Sequence, residues 1–196
     1  QGCLQDTMAM VKTEALSNHF LIAMPTLEDI NFSGTVTLIC EHNEEGAMGI
    51  VINRPTDFSL GELLQQLEMI ENADLYSDTI VYRGGPVQEE HGFILHQPVG
   101  DWQHSLKISD DLALTTSRDI LQAIAEDRGP ERKLIALGYA GWGAGQLEQE
   151  ISANAWLTTP ADNEILFDLP SNQRWEAAAS KLGIDLTLLS SETGHA

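Results

Sequence analysis

One stretch rich in glycine sets the expected fold: Gly138-Tyr139-Ala140-Gly141-Trp142-Gly143-Ala144-Gly145-Gln146-Leu147-Glu148. It follows an apolar run at residues 134–137, which is typical of a buried strand, and it leads into residues 146–152, which have the composition of a short helix. The stretch therefore predicts a turn between a strand and a helix. Its glycines permit positive φ angles and close approach of another group, and they leave Trp142 as the one large side chain of the loop.

The bulk composition is that of a globular protein with an unusual charge. The chain has 196 residues, of which 42% are hydrophobic and 20% charged, so it is long enough to bury a real core. Thirty Asp and Glu against ten Lys and Arg give a formal net charge of -20, which repels a phosphate polyanion. Direct nucleic-acid binding is therefore disfavoured. The sequence contains no apolar run of about 18 residues and no secretory signal, so we expect a cytoplasmic protein without a membrane partner.

We expect one folded domain over residues 16–189. Residues 1–15 lack structural periodicity and predict a disordered leader, part of it vector-derived, with Met8 or Met10 as the native start. The small polar residues 190–196 predict a frayed tail. The chain has two cysteines, Cys3 and Cys40, which argues against a disulfide framework.

Strand-like runs outnumber helix-like runs. Residues 35–40 and 47–53, joined by a polar connection, predict an antiparallel hairpin. Further strands are expected at residues 19–23, 79–83, 91–96, 105–108, 133–139 and 156–159. Helices are expected from Ser59, near Thr116, from Gln146 and over residues 172–182, with Gly183 directly after the last one. The pattern predicts a single α+β domain with a mostly antiparallel or mixed sheet.

The sequence lacks the common motifs for cofactors, metals and nucleophiles. A dinucleotide fingerprint fails because Gln146 stands where the third glycine would be, and no Walker motif occurs. His91 and His96 are expected on opposite faces of a strand, and no metal-ligand spacing is present. Cys40 is expected in the core rather than as a nucleophile. We therefore predict no cofactor, no metal and no catalytic residue.

Two arginines at strand ends suggest a binding site. Arg54 precedes Pro55, and Arg83 precedes a second glycine turn, so both would frame an anion-binding cleft if their turns meet the central loop. Two alternatives remain open: each guanidinium pairs with local acids, and the glycines only build tight turns. The candidate binding residues are Arg54, Arg83, Gly84, Gly85, Pro86, Gly141, Trp142, Gly143, Gly145 and Gln146.

Several motifs taken together resemble the AlgH family, also called YqgE-like. They are residues 18–25, His42 with its neighbour Glu41, residues 46–55, 84–87, 92–96 and the central stretch 138–148, in the family's order. Ala144 stands where many relatives have proline. The resemblance implies a bacterial cytoplasmic protein with a split mixed sheet curled into a pseudo-barrel flanked by helices. It implies no established catalytic residues, and the family carries a label of transcriptional regulator although no helix-turn-helix is visible.

Our leading hypothesis is a non-enzymatic binding or regulatory protein that engages a protein partner or small ligand at the glycine-rich loop surface, with Trp142 as the aromatic contact. The alternative is an enzyme or carrier of a small anionic metabolite, which would use the same cleft with His42 or His91 as polar groups. A transcriptional regulator is the second alternative.

Overall fold

The computed structural model describes residues 16–27, 29–30 and 32–185. The expected leader 1–15 and tail 190–196 lie outside the described residues. The described strands are β1 His19–Ala23, β2 Val36–Asn43, β3 Gly46–Val51, β4 Pro55–Ser59, β5 Ile80–Arg83, β6 Val87–Gln97, β7 Ser105–Lys107, β8 Ala113–Thr115, β9 Arg132–Gly143 and β10 Trp156–Pro160. The helices are α1 Leu60–Gln66, α2 Arg118–Ala125, α3 Gln146–Ser152 and α4 Arg174–Ser180, with short helical turns at Ala73–Tyr76, Glu164–Asp168 and Ser171–Gln173.

The strands form one mixed sheet that curls into a half-barrel, as predicted. The strand order is β10-β1-β2-β3-β9-β6-β8-β7, with β5 beside β9 and β4 beside β5. β5 runs parallel to β9, and the other pairs are antiparallel. β9 is therefore the central strand, because it pairs with β3, β5 and β6.

The helices cover separate parts of the sheet. α1 and α2 bury leucines and isoleucines against β5, β6 and β9, whereas α3 covers the end where β1, β9 and β10 meet. α4 lies over β1 and β2, and its Arg174 is buried, with donors to the carbonyls of Ile52 and Leu169 and its guanidinium 5.1 Å from the ring centre of Tyr82. None of the described helices is long and apolar enough to cross a membrane.

The local signals for helix ends are confirmed. The Ser59 hydroxyl accepts a hydrogen bond from the Glu62 N–H at 3.1 Å, as expected for the start of α1. Gly183 follows α4 with a φ of 73°, which suits a residue that ends a helix.

The number and the length of the strands differ from the prediction. The differences occur where a strand is stabilised by pairing with residues far away in sequence. β4 and β8 were not expected, and β6 continues through the polar residues 88–90 that were expected to interrupt it. β9 extends to Gly143, where we expected a loop, because β3 pairs with it from Ala140 to Gly143. The predicted turn between strand and helix therefore shrinks to Ala144 and Gly145.

Candidate functional site

The two glycine motifs meet at a crossing of the chain. β5 pairs with one edge of β9 and β6 with the other, so residues 84–86 must pass over β9 to connect them. The Gly84 N–H donates to the Leu137 carbonyl at 2.8 Å. A Cβ on Gly84 would lie 2.3 Å from the Gly138 carbonyl oxygen, and a Cβ on Gly138 would lie 2.4 Å from that of Gly85. The backbones can cross only because these residues are glycines. This supports the alternative in which the glycines of these two turns serve the fold and do not form a binding site.

Arg54 and Arg83 are neighbours in the structure, where the Arg83 N–H donates to the Arg54 carbonyl at 2.8 Å. Arg54 donates to the carbonyls of Ile30 and Ser33 at 2.9 and 2.7 Å, and Arg83 forms an ion pair with Glu89 at 2.7 Å. Burial lowers the pKa of Arg54, and the nearby charge of Arg83 lowers it further. Arg83 thus pairs with a local acid, as the local-pairing alternative expects, whereas the hydrogen bonds of the Arg54 guanidinium go to backbone carbonyls.

The arginines and the end of the glycine stretch do not form one cleft. Arg83 is level with Leu137 on β9, whereas Trp142 is level with Ala47, five residues further along the same strand. At about 3.3 Å per residue this is a separation of about 17 Å. The predicted binding residues therefore divide between two places on the surface.

Trp142 is not an exposed aromatic contact. It is only 6% exposed, and its indole N–H donates to Glu150 Oε1 at 3.1 Å. The indole of Trp156 donates to the same oxygen at 2.9 Å, and the two rings meet edge to face. The hypothesis that Trp142 is the aromatic contact therefore loses its basis: β9 continues through Gly143, so Trp142 alternates with the exposed Gly141 and Gly143 and faces inward.

The predicted binding residues at the end of the glycine stretch form a surface together with the β2–β3 hairpin. They are Gly141, Gly143, Gly145 and Gln146. We call the surface made by residues 41–48 and 141–148 the glycine end. Gln146 lies exposed on it, accepting a hydrogen bond from the Gly143 N–H at 3.0 Å and donating to Glu150 at 2.9 Å. A depression of about 220 Å³ on this surface is lined by Glu41, Asn43, Glu45, Gly46, Ala47, Met48 and Trp142.

Gly141 and Gly143 have no structural requirement for glycine. Neither has a positive φ. A Cβ on Gly141 would meet its nearest atom, Tyr139 Cε2, at 3.4 Å, and a Cβ on Gly143 would meet Gln146 Oε1 at 3.8 Å. Glycine within a strand weakens it and often marks a place where another backbone approaches. These two exposed positions therefore differ from the glycines of the crossing.

The glycine end is built from parts of the chain without basic residues. Residues 16–53 and 134–173 contain five Asp or Glu each and no Lys or Arg. In the part of the chain that the structure describes, no Lys or Arg forms an ion pair with Glu41, Glu44, Glu45 or Glu148. This charge segregation is visible in the sequence, but only the folded arrangement shows that both stretches build one end.

The two histidines considered for the cleft lie apart. His42 is buried beneath α3, where its Nε2 lies 3.2 Å from Glu148 Oε1 and its Nδ1 has no hydrogen-bond partner among the described residues. His91 is exposed on β6.

The other groups with chemical potential are held in the interior. Cys40 is 3% exposed, and burial, followed by the charge of Glu41, raises the pKa of its thiol. His96 is fully buried between the Pro98 carbonyl at 2.9 Å and the Thr115 hydroxyl at 2.6 Å. Within the described ranges, no group of three or more His, Cys, Asp or Glu side chains could hold a metal ion.

The chain is similar to proteins of one bacterial family. A family model described as AlgH-like matches residues 20–187. A UPF0301 protein of Thioalkalivibrio sulfidiphilus is 58% identical over 187 residues, which are 95% of this chain and 100% of that protein. A UPF0301 protein of Nitrosococcus oceani is 55% identical over 179 residues, covering 91% of this chain and 96% of the other.

Solved structures agree with this similarity. The solution structure of the AlgH protein from Pseudomonas aeruginosa has a TM-score of 0.77 and 53% sequence identity, covering 89% of this chain and 93% of that one. A crystal structure of a Corynebacterium diphtheriae protein, with a TM-score of 0.70 and 21% identity over 90% of this chain and 92% of that one, shares the fold. The match to the family model and the identity to full-length relatives show that the chain belongs to the AlgH-like family.

Proposed function

We propose that the chain is a non-enzymatic binding protein that docks a basic surface of a partner protein at its glycine end. The observation that carries this proposal is the absence of Lys and Arg from both stretches that build this end, residues 16–53 and 134–173. Exposed carboxylates without basic neighbours give a surface of one sign, which speeds encounter with an oppositely charged partner.

The sign of this charge selects among the hypotheses. An anionic metabolite or a phosphate backbone would be repelled by Glu41, Glu44 and Glu45, so the glycine end does not favour the metabolite or DNA alternatives. The depression of about 220 Å³ is also smaller than the roughly 300–1,000 Å³ of typical small-molecule pockets. A macromolecular partner fits both observations.

A charge-neutralising variant tests the proposal. Replacing Glu41, Glu44 and Glu45 by glutamine should weaken binding of a short synthetic peptide of alternating threonine and lysine, measured by fluorescence anisotropy at low salt. At about 0.3–1 kcal/mol for each of the lost charge interactions, we expect the dissociation constant to rise by about 5- to 150-fold.

A matched variant supplies the control. Glu71, Asp74 and Asp78 are exposed near the turn between α1 and β5, so their amide variant removes the same charge elsewhere. It should change the affinity by about twofold or less, because distant charges are screened. Equal weakening by both variants would mean that the peptide follows net charge alone, and the proposal would fail.

Arg54 and Arg83 support a second candidate function, binding of a small anion. The observation that favours it is the position of the two residues: the Arg83 N–H donates to the Arg54 carbonyl at 2.8 Å, so two residues with cationic side chains are neighbours and a bound anion would offset their repulsion. Titration with inorganic phosphate should then shift the amide signals of residues 83–85, and Arg83→Gln should abolish the shift. An unchanged titration in the variant would exclude this candidate.

A further inference from the structure

The outer edge of β9 loses its strand partner near the glycine end. β3 pairs with β9 along one edge from Ala140 to Gly143. The opposite edge pairs with β6, but β6 begins at Val87, which is level with Tyr139. Among the described strands, none pairs with this opposite edge at Gly141 or Gly143.

The backbone of Gly141 faces this open edge. The Gly143 N–H donates to the side chain of Gln146 and not to β3. Along an antiparallel strand, alternate residues direct their N–H and C=O groups to the same edge, and the register from Ala140 to Gly143 is unbroken. The N–H and C=O of Gly141 therefore point away from β3, towards the side that β6 leaves open.

This edge lacks the usual protection against further pairing. β4, another edge strand, has Pro55 at its start, an exposed Asp57 and an irregular register with β5. Such features block the addition of strands. Gly141 and Gly143 are exposed and have no side chains, and the atoms nearest to a Cβ at these positions belong to the side chains of Tyr139 and Gln146, at 3.4 and 3.8 Å, and not to backbone.

We propose that the partner of the glycine end binds as an extended basic segment that adds a strand to the outer edge of β9 at Gly141 and Gly143. The inference rests on the proposed function and states how that surface is used: backbone hydrogen bonds to β9 give affinity, and basic side chains match the surrounding carboxylates. A second copy of this chain is disfavoured as the occupant, because it would bring another set of unpaired carboxylates to the same edge.

Amide hydrogen exchange measured residue by residue tests the added strand. The probe is the peptide of alternating threonine and lysine. On saturation, exchange of the Gly141 amide should slow by about tenfold or more, because its N–H gains a hydrogen-bond partner. The amides of Ala140 and Trp142, which alternate with it and face β3, serve as the internal control and should change little.

Backbone methylation of the peptide gives a second readout. An N-methyl group at one position removes a donor, so methylation should weaken binding strongly at every second position and weakly at the positions between. Equal sensitivity at all positions, or binding with no protection of Gly141, would overturn the added strand while the charge-based function stands. Absence of any peptide binding would instead refute the proposed function.

The same exchange experiment identifies a second copy as the occupant. Protection of Gly141 that rises with protein concentration in the absence of peptide would show that the chain itself occupies the edge. That result would overturn the proposal of a basic segment.

Discussion

Substituting alanine for Gly138 tests whether the crossing of residues 84–86 over β9 is a fixed part of the fold. Gly138 has a φ of 80°, in the left-handed region, and a Cβ there would lie 2.4 Å from the Gly85 carbonyl oxygen. Both features oppose a side chain. The nearest obstacle is backbone, which cannot rotate away as a flexible side chain could.

The expected loss of stability follows from these two features. An alanine in the left-handed region costs about 1–2 kcal/mol, and moving packed backbone to relieve the contact costs about 1–3 kcal/mol. We therefore expect Gly138→Ala to lower the free energy of unfolding by about 2–5 kcal/mol. For a domain of this size, that corresponds to a melting temperature about 4–20 °C lower.

Gly141→Ala is the matched control on the same strand. Its Cβ would meet its nearest atom at 3.4 Å and its φ is not positive, so we expect a change within about 1 kcal/mol, including a small gain. Urea unfolding followed by far-ultraviolet circular dichroism gives both values. Comparable stability of the two variants would refute the crossing as the reason for Gly138.

Two further predictions concern buried polar groups. Glu150→Ala should lower the free energy of unfolding by about 2–5 kcal/mol, because the indole N–H groups of Trp142 and Trp156 lose their shared acceptor; Glu150→Gln retains an acceptor oxygen and should cost clearly less in the same urea assay. Burial lowers the pKa of His96 below its usual 6.5. As the pH falls, the His96 imidazole is therefore protonated in the unfolded chain before it is protonated in the folded chain. The wild type should therefore lose stability relative to His96→Gln as the pH falls below about 6.5, by up to ~1.4 kcal/mol per pH unit, and parallel profiles of the two proteins would contradict this.

Local signals predicted much of the fold. The β2–β3 hairpin, the start of α1 at Ser59 and the end of α4 before Gly183 all depend on residues close in sequence, and the structure confirms them. The meeting of the glycine turns at residues 84–85 and 138 was only a condition of the cleft hypothesis, and the sequence could not show that these segments meet as crossing backbones.

Pairing between distant residues explains what the sequence could not predict. Glycines have a low preference for strands, yet β9 continues through Gly141 and Gly143 because β3 lies beside it. Because of this extension, Trp142 faces the interior, and Gly141 and Gly143 are the exposed residues of this part of the strand. The lack of basic residues in 16–53 and 134–173 can be read from the sequence, but only the fold shows that the two stretches form one acidic surface.

The central position of β9 also orders events during synthesis of the chain. β3, β5 and β6 are all translated before it, yet each of them needs β9 as a neighbour in the finished sheet. Strands with an unmet edge are prone to wrong pairing until their partner arrives. The edges of β3, β5 and β6 that pair with β9 therefore stay open until residues 132–143 emerge, and during this interval the nascent chain is exposed to wrong pairing.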